Sequence, residues 1–149
     1  MKEKKFEGLK KNDYIIEFSK EFFCKDNVTV CVLDVAILID DLVPGTISGS
    51  LIDKIHSSFP EVQFNYNAEY PAFIINVRGK AVCTPDDKYS EEVGKTVSYS
   101  KAQAKAYSIV SRIATLIGAE LTKWCTHATN VSEYFATAKE REINFVKNI

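Results

Sequence analysis

Short runs of β-branched and apolar residues, separated by turn residues, fill the first half of the chain. The clearest run covers residues 27–39, and because both of its faces are apolar it predicts a central strand. An alternating run at 62–66 predicts a second strand, and residues 72–83 predict a third. A further run at 14–18 is too short for its period to separate a strand from a turn of helix.

The third predicted strand separates its side chains into two faces, because successive residues of a strand point in opposite directions. The apolar face, which should meet the core, holds Phe73, Ile75, Val77, Ala81 and Cys83. The opposite face holds Asn76, Arg78 and Lys80. Two cations on the open face of a strand are ordinarily solvated surface, and a binding role is the alternative.

The apolar residues in the other parts of the chain recur with helical periodicity. Residues 51–59 predict a short helix that Ser48 can cap and Pro60 ends. From Pro85, or from a start capped by Ser90, the apolar positions keep a helical period to about Lys123, a length of roughly 45 Å at 1.5 Å per residue. Residues 124–129 then predict a connection, and Asn130 can cap a last helix.

These elements predict an α+β fold: a small antiparallel sheet of three or four strands packed against a long two-helix hairpin. The 149 residues suit a single domain, with the polar, Lys-rich residues 1–12 as a loose N-terminal segment. Because the long helix outruns so small a sheet, part of it should pack on a partner helix, on another subunit, or on both.

Composition narrows the function classes. The chain is 46% hydrophobic and 26% charged, an ordinary globular balance, and its formal net charge of -1 lacks the basic surplus of duplex-binding proteins. Duplex nucleic acid is therefore not an expected partner. No apolar run approaches the ~20 residues of a membrane span, and the charged N-terminus has no secretory signal. The expected location is the cytoplasm.

Motifs for catalysis, metals and cofactors are missing from the sequence. The four cysteines include no CxxC pair, and the two histidines, His56 and His127, lie far apart, so neither a metal site nor a catalytic residue is predicted. Neither a P-loop nor a Gly-x-Gly-x-x-Gly fingerprint is present, and no cofactor is expected. The cysteines of the strand-like runs, Cys31 and Cys83, are predicted to be buried free thiols. The sequence favours a binding protein over an enzyme.

One stripe of the long helix suits an anionic ligand. Its members are small, hydroxylic or cationic and include no acid: Gly94, Ser98, Lys101, Lys105, Ser108 and Arg112. Cations and hydroxyls together are suited to phosphate, and Gly94 would permit close approach of a ligand or a backbone. Tyr89, at the entrance of the helix, could stack on a nucleobase. A solvated helix face is the alternative interpretation.

A family resemblance rests on the same region. Residues 77–89, with Gly-x-Ala-x-Cys and a Pro-Asp-Asp turn before Tyr89, are followed by Gly94-Lys95 and Lys101-Ala102. This pattern resembles the strand–turn–helix of small phage proteins. The chain as a whole resembles the first-described type of Thoeris anti-defence proteins, phage sponges that sequester the cyclic ADP-ribose signal of bacterial immunity. Some members of that family also trap cyclic oligonucleotides.

The resemblance implies sequestration without cleavage, in the cytoplasm of a bacterial host, by a homo-oligomer in which dimers build to a hexamer. It also implies pockets between subunits in which Tyr89 stacks on adenine and Arg78, Lys101 and Arg112 contact pyrophosphate. Lys105 is a further ligand-binding candidate on the same stripe. Lys101 stands where such patterns commonly carry arginine. The alternatives are a phage protein that binds another protein or nucleic acid, and an enzyme that acts on a nucleotide.

Overall fold

The structure, a computed structural model, describes residues 9–12, 14–42, 49–65, 71–83 and 90–149. Its strands are β1 (Leu9–Lys10), β2 (Ile15–Lys25), β3 (Val28–Leu38), β4 (Val62–Asn65) and β5 (Ala72–Val82). Its helices are α1 (Ile39–Leu42), α2 (Gly49–Ser58) and α3 (Glu91–Lys147). The chain divides into two compact units, Met1–Ala114 and Thr115–Ile149, and the second consists of the end of α3 with the last two residues.

The strands form one antiparallel sheet in the order β1-β2-β3-β5-β4. Four of them are full strands, and β1 adds only two residues to one edge. The predicted α+β class and small antiparallel sheet are confirmed. The position of β3 between β2 and β5 also confirms that the strand over 27–39 is central.

A tight hairpin joins β2 to β3. Lys25 pairs with Val28, and the two residues between them, Asp26 and Asn27, have φ angles of 52° and 61°. Positive φ at both positions matches the twist of the flanking strands, and Asp and Asn tolerate it better than most residues. The ambiguous run at 14–18 is therefore the start of a strand, which continues to Lys25 because β3 pairs with it along its length.

One face of the sheet carries the core. Leu33, Val35 and Ile37 of β3 are buried there, as are Ile75 and Val77 of β5. The apolar side of α2 and one stripe of α3 are buried as well, including Leu51, Ile52, Ile55, Ala102, Ala106, Ile109 and Ile113. The predicted division of β5 is confirmed, because Asn76, Arg78 and Lys80 are exposed.

The predicted two-helix hairpin is not confirmed, because α3 is one continuous helix from Glu91 to Lys147. Residues 124–129 contain neither glycine nor proline, so nothing in them forces the chain out of the helix. Asn130 resembles a cap, but without a preceding break it stays within the helix. The start capped by Ser90 is supported, since the Val93 amide donates to its Oγ at 3.3 Å. The alternative start at Pro85 lies outside the described residues.

Candidate functional site

The candidate site lies beside the part of β5 that β4 does not cover. Pairing with β4 ends at Ile75, so no described strand pairs with the rest of that edge. Two lysines of α3 bond to its carbonyl oxygens: Lys105 Nζ donates to Arg78 O at 2.6 Å, and Lys101 Nζ donates to Lys80 O at 3.0 Å. Lysines on an open edge discourage pairing with another strand and fix α3 alongside it.

A groove of about 430 Å³ runs between this edge and α3, and we call it the α3–β5 groove. Buried Val77 and Ile109 contribute its apolar surface. Its polar lining consists of Glu61, Asn76, Arg78, Lys105, Ser108 and Arg112. A hollow of this size falls within the range of small-molecule sites, which is about 300–1,000 Å³.

Arg112 is positioned by an aromatic ring. Its guanidinium carbon lies 4.9 Å from the ring centroid of Phe59, the residue that follows α2. Phe59 is buried and so provides a fixed surface for the cation. A guanidinium over an aromatic face can keep its N–H groups available in its own plane, where they can make a two-pronged contact with an oxyanion.

The charge of the α3–β5 groove is positive. Arg78, Lys105 and Arg112 contribute cations, and Glu61 is the one carboxylate among the described residues of the lining. Each lysine ammonium has three donors, so the bond from Lys105 to Arg78 leaves two for a ligand. Ser108 adds a hydroxyl. The groove therefore suits an anion with several acceptor oxygens.

The predicted site residues separate into three groups. The structure brings Arg78, Lys105 and Arg112 together in one groove, and Ser108 from the same predicted stripe joins them. Lys101 bonds to the strand edge and is not part of the lining. Tyr89 lies outside the described residues.

Two members of the predicted stripe are interior residues. Gly94 is buried, and so is Ser98, whose hydroxyl donates to the Lys95 carbonyl at 3.1 Å. They cannot meet a ligand in the groove. Val93 and Val97, whose helical spacing predicts core positions, are exposed instead. Small residues occupy the interior here because the helix crosses the sheet closely.

Sequence reasoning missed three residues that shape the site: Phe59, Glu61 and Asn76. Phe59 was assigned only to the apolar side of a helix, and Asn76 only to the open face of β5. Glu61 follows the proline that ends α2 and carries no motif of its own. Only the pairing of β4 with β5 brings Glu61 next to Asn76. The backbone N–H of Asn76 donates to the backbone carbonyl of Glu61 at 3.3 Å.

Two further hollows lie in the same unit. One, of about 550 Å³, is lined by Asp34 and Glu61 with Gln63 and Asn76, and its acids would repel phosphate. The other, of about 450 Å³, is mainly apolar and includes Tyr14, Leu42 and Tyr107. Neither lining contains a lysine or an arginine, so the smaller α3–β5 groove is the better site for an anion.

A second polar cluster joins β2 to α3. The buried Glu17 carboxylate accepts a hydrogen bond from the Tyr99 hydroxyl at 2.6 Å, and Lys11 and Lys20 lie 3.8 Å from its oxygens. Lys20 also lies 4.4 Å from the centroid of the Tyr99 ring. Burial raises the pKa of Tyr99, and the bond to Glu17 raises it further. The cluster holds both elements together and does not contribute to the α3–β5 groove.

The described residues include no group of three His, Cys, Asp or Glu side chains placed to hold a metal ion. Cys31 is a buried free thiol as predicted, and its burial raises its pKa, whereas Cys83 is only half-buried. Both histidines are exposed. Within the described part of the chain, no helix has a stretch long and apolar enough to span a bilayer.

Comparisons with known proteins do not indicate a family. No protein-family model matches the chain, and searches of curated proteins and of solved structures give no significant match. The α3–β5 groove and the residues that line it are therefore the features from which a function can be inferred.

Proposed function

We propose that the α3–β5 groove binds the phosphates of a nucleotide, and that the protein is a phage anti-defence sponge. It sequesters a cyclic nucleotide immune signal of the cyclic ADP-ribose type, with cyclic oligonucleotides as a related ligand class, and it does not cleave the signal. The observation that carries the proposal is the convergence of Arg78, Lys105 and Arg112 on one groove.

The chemistry of the groove fits a pyrophosphate, which is a dianion at neutral pH. Arg112 can approach it with two N–H groups at once, and Lys105 can add a point charge with two remaining donors. Apolar surface from Val77 and Ile109 reduces the competition from water. Glu61 opposes anion binding, and it could instead accept a hydrogen bond from a ribose hydroxyl.

The base of the nucleotide needs a separate contact. We propose that Tyr89 of a second copy stacks on adenine, because Glu91, at the start of α3, lies roughly 21 Å from Lys105 of its own chain at 1.5 Å per residue. Such a contact is worth roughly 1–3 kcal/mol by analogy with bases on aromatic side chains. Tyr89 directly precedes Ser90, the N-cap of α3. Lys101 then has an indirect role, because it fixes the strand edge that bears Lys80 and the neighbouring Arg78.

A sponge acts by mass action. Each occupied groove removes one signal molecule from solution, so the effect depends on protein concentration and affinity and needs no turnover.

A retention and release assay tests the proposal. The full chain is incubated with cyclic ADP-ribose, freed of unbound ligand by filtration and heat-denatured, and the released material is identified by mass spectrometry. A sponge returns intact ligand, an enzyme returns product, and a protein of unrelated function retains nothing. A nucleic-acid binder would instead retain oligonucleotides, less so as the salt concentration rises, and would not retain cyclic ADP-ribose. That result would reject the proposal.

A further inference from the structure

The end of α3 carries an exposed apolar stripe. Residues repeat there with alternating spacings of three and four, the spacing of a coiled coil. The stripe, which we call the C-terminal seam, comprises Leu121, Trp124, Ala128, Val131, Phe135, Ala138, Glu142, Phe145 and Ile149. All of these residues except Glu142 are apolar. All of them are exposed except Ala138, which is half-buried.

The exposed area is large for a single helix. Trp124 is 48% exposed, Phe135 63% and Phe145 64%, and an aromatic side chain has about 150–250 Å² in total to bury. With its aliphatic members, the seam leaves on the order of 700 Å² of mainly apolar surface per helix, close to the roughly 800 Å² per partner of a standard interface. Patches above a few hundred Å² on soluble proteins mark interaction sites.

We propose that the C-terminal seam is an interface with a second copy of this chain, in which the two helices form an antiparallel coiled coil centred on Glu133. The seam matches itself when it is reversed about that residue. Val131 then faces Phe135 of the other copy, large against large, and Ala128 faces Ala138, small against small. Leu121 likewise faces Phe145. In this register each of these apolar side chains meets an apolar side chain of the other copy, so their exposed surface is removed from water.

The charged member of the seam sets the direction. In a parallel pair Glu142 would face Glu142 of the second copy, and two carboxylates buried side by side are strongly unfavourable. In the antiparallel pair Glu142 faces Trp124, whose indole N–H can donate to the carboxylate. The one polar residue of the seam therefore has a complementary partner in one direction only.

This interface involves residues 121–149 alone and does not depend on the proposed ligand. Loss of nucleotide retention would leave it intact, and a monomeric protein would leave the nucleotide proposal to its own test.

Light scattering on the full chain tests the association. We expect the mass of two chains, or a multiple of it, across the micromolar range. Phe135→Lys should reduce it to the monomer, whereas Thr126→Lys, on the opposite side of the same helix, should not change it. Circular dichroism checks that both variants keep the helix. A monomeric wild type, or a Phe135→Lys variant that still dimerises, overturns the proposal.

Disulfide formation tests the direction. The exposed Cys125 flanks the seam one residue after Trp124, and residue 139 flanks it at the equivalent position, one residue after Ala138. In an antiparallel pair these two flanking positions lie on the same side and within one turn of each other, so Lys139→Cys in a Cys24→Ser background should give an interchain disulfide. Within one helix these positions are roughly 21 Å apart at 1.5 Å per residue, too far for a bond in the same chain. Ala128→Cys, with Cys24 and Cys125 replaced by Ser, should not link to itself. Cross-linking of Ala128→Cys without cross-linking of Lys139→Cys would indicate a parallel pair and overturn the assignment.

Discussion

Gly79 of β5 lies directly against Ser98 of α3. A Cβ atom on residue 79 would overlap the Ser98 carbonyl and the Ala102 amide, so only glycine fits at this crossing. Ser98 is fully buried there, and Lys101 and Lys105 follow it on the same helix. The close crossing therefore brings both lysines within hydrogen-bond distance of the β5 edge and defines one side of the α3–β5 groove.

Replacing Gly79 with alanine should lower the free energy of unfolding by about 3 kcal/mol, because the methyl group must push α3 away from β5. Urea denaturation measures the change. Gly118→Ala is the matched control, since nothing lies within 4 Å of its added Cβ. Residue 118 is helical, so alanine there should stabilise by up to about 1 kcal/mol. Equal effects of both substitutions would refute the close crossing.

Removing the Tyr99 hydroxyl tests the polar cluster between β2 and α3. Tyr99→Phe deletes the 2.6 Å hydrogen bond to the buried Glu17 carboxylate, and bonds to a charged acceptor are worth about 2 kcal/mol. Chemical denaturation should show a loss of this size. Tyr107→Phe, at an exposed position of α3, should cost less than about 0.5 kcal/mol. An unchanged free energy of unfolding in Tyr99→Phe would mean that water replaces the hydrogen bond without cost.

The same residue predicts a pH dependence. Burial and the bond to Glu17 raise the pKa of Tyr99 above its ordinary value of 10.0. The phenol thus holds its proton more tightly in the folded chain, so its contribution to stability is complete below pH 10 and is lost as the pH rises through the folded-state pKa. Lys11, whose pKa is raised chiefly by its hydrogen bond with Tyr99, acts in the same direction.

The free energy of unfolding, measured from pH 8 to about 12, should therefore fall above pH 10, and it should fall less steeply in Tyr99→Phe. Identical slopes in the two proteins would contradict the raised pKa.

Strands β3, β4 and β5 could be predicted from the sequence because their signals are local. The β-branched run of β3 and the alternation of β5 show which residues meet the core, and the structure agrees. The hairpin at Asp26-Asn27 was also visible in principle, since these residue types tolerate positive φ. The continuity of α3 was missed because Asn130 and Glu133 have the form of a cap, which a helix without a break does not need.

The orientation of α3 could not be predicted, because it depends on a residue outside the helix. Periodicity alone places Val93 and Val97 in the core, yet Gly79 leaves space only for small residues where the helix crosses β5. Ser98 is interior for that reason. The way α3 is turned about its own axis leaves Lys105 and Arg112 at the groove. The stripe predicted from residue types therefore contains both interior residues and residues that line the groove.

The two lysines of the stripe, Lys101 and Lys105, should contribute differently to nucleotide binding. Lys105→Glu should reduce nucleotide binding at least tenfold, since it places a negative charge in the lining of the groove. Lys101→Glu should reduce it less, because Lys101 bonds to the Lys80 carbonyl and acts only through the strand edge. Filter retention of labelled cyclic ADP-ribose compares the two. The reverse order would place the site nearer the start of α3 than the groove.

The central claim is that the α3–β5 groove holds the phosphates. Calorimetric titration of cyclic ADP-ribose into the full chain and into Arg112→Glu tests it most directly, with Lys123→Glu, an exposed lysine outside the groove lining, as the charge-matched control. We predict binding by the wild type and by Lys123→Glu with similar affinity, and no measurable heat with Arg112→Glu. Equal affinity in all three proteins, or no binding by the wild type, would contradict the account.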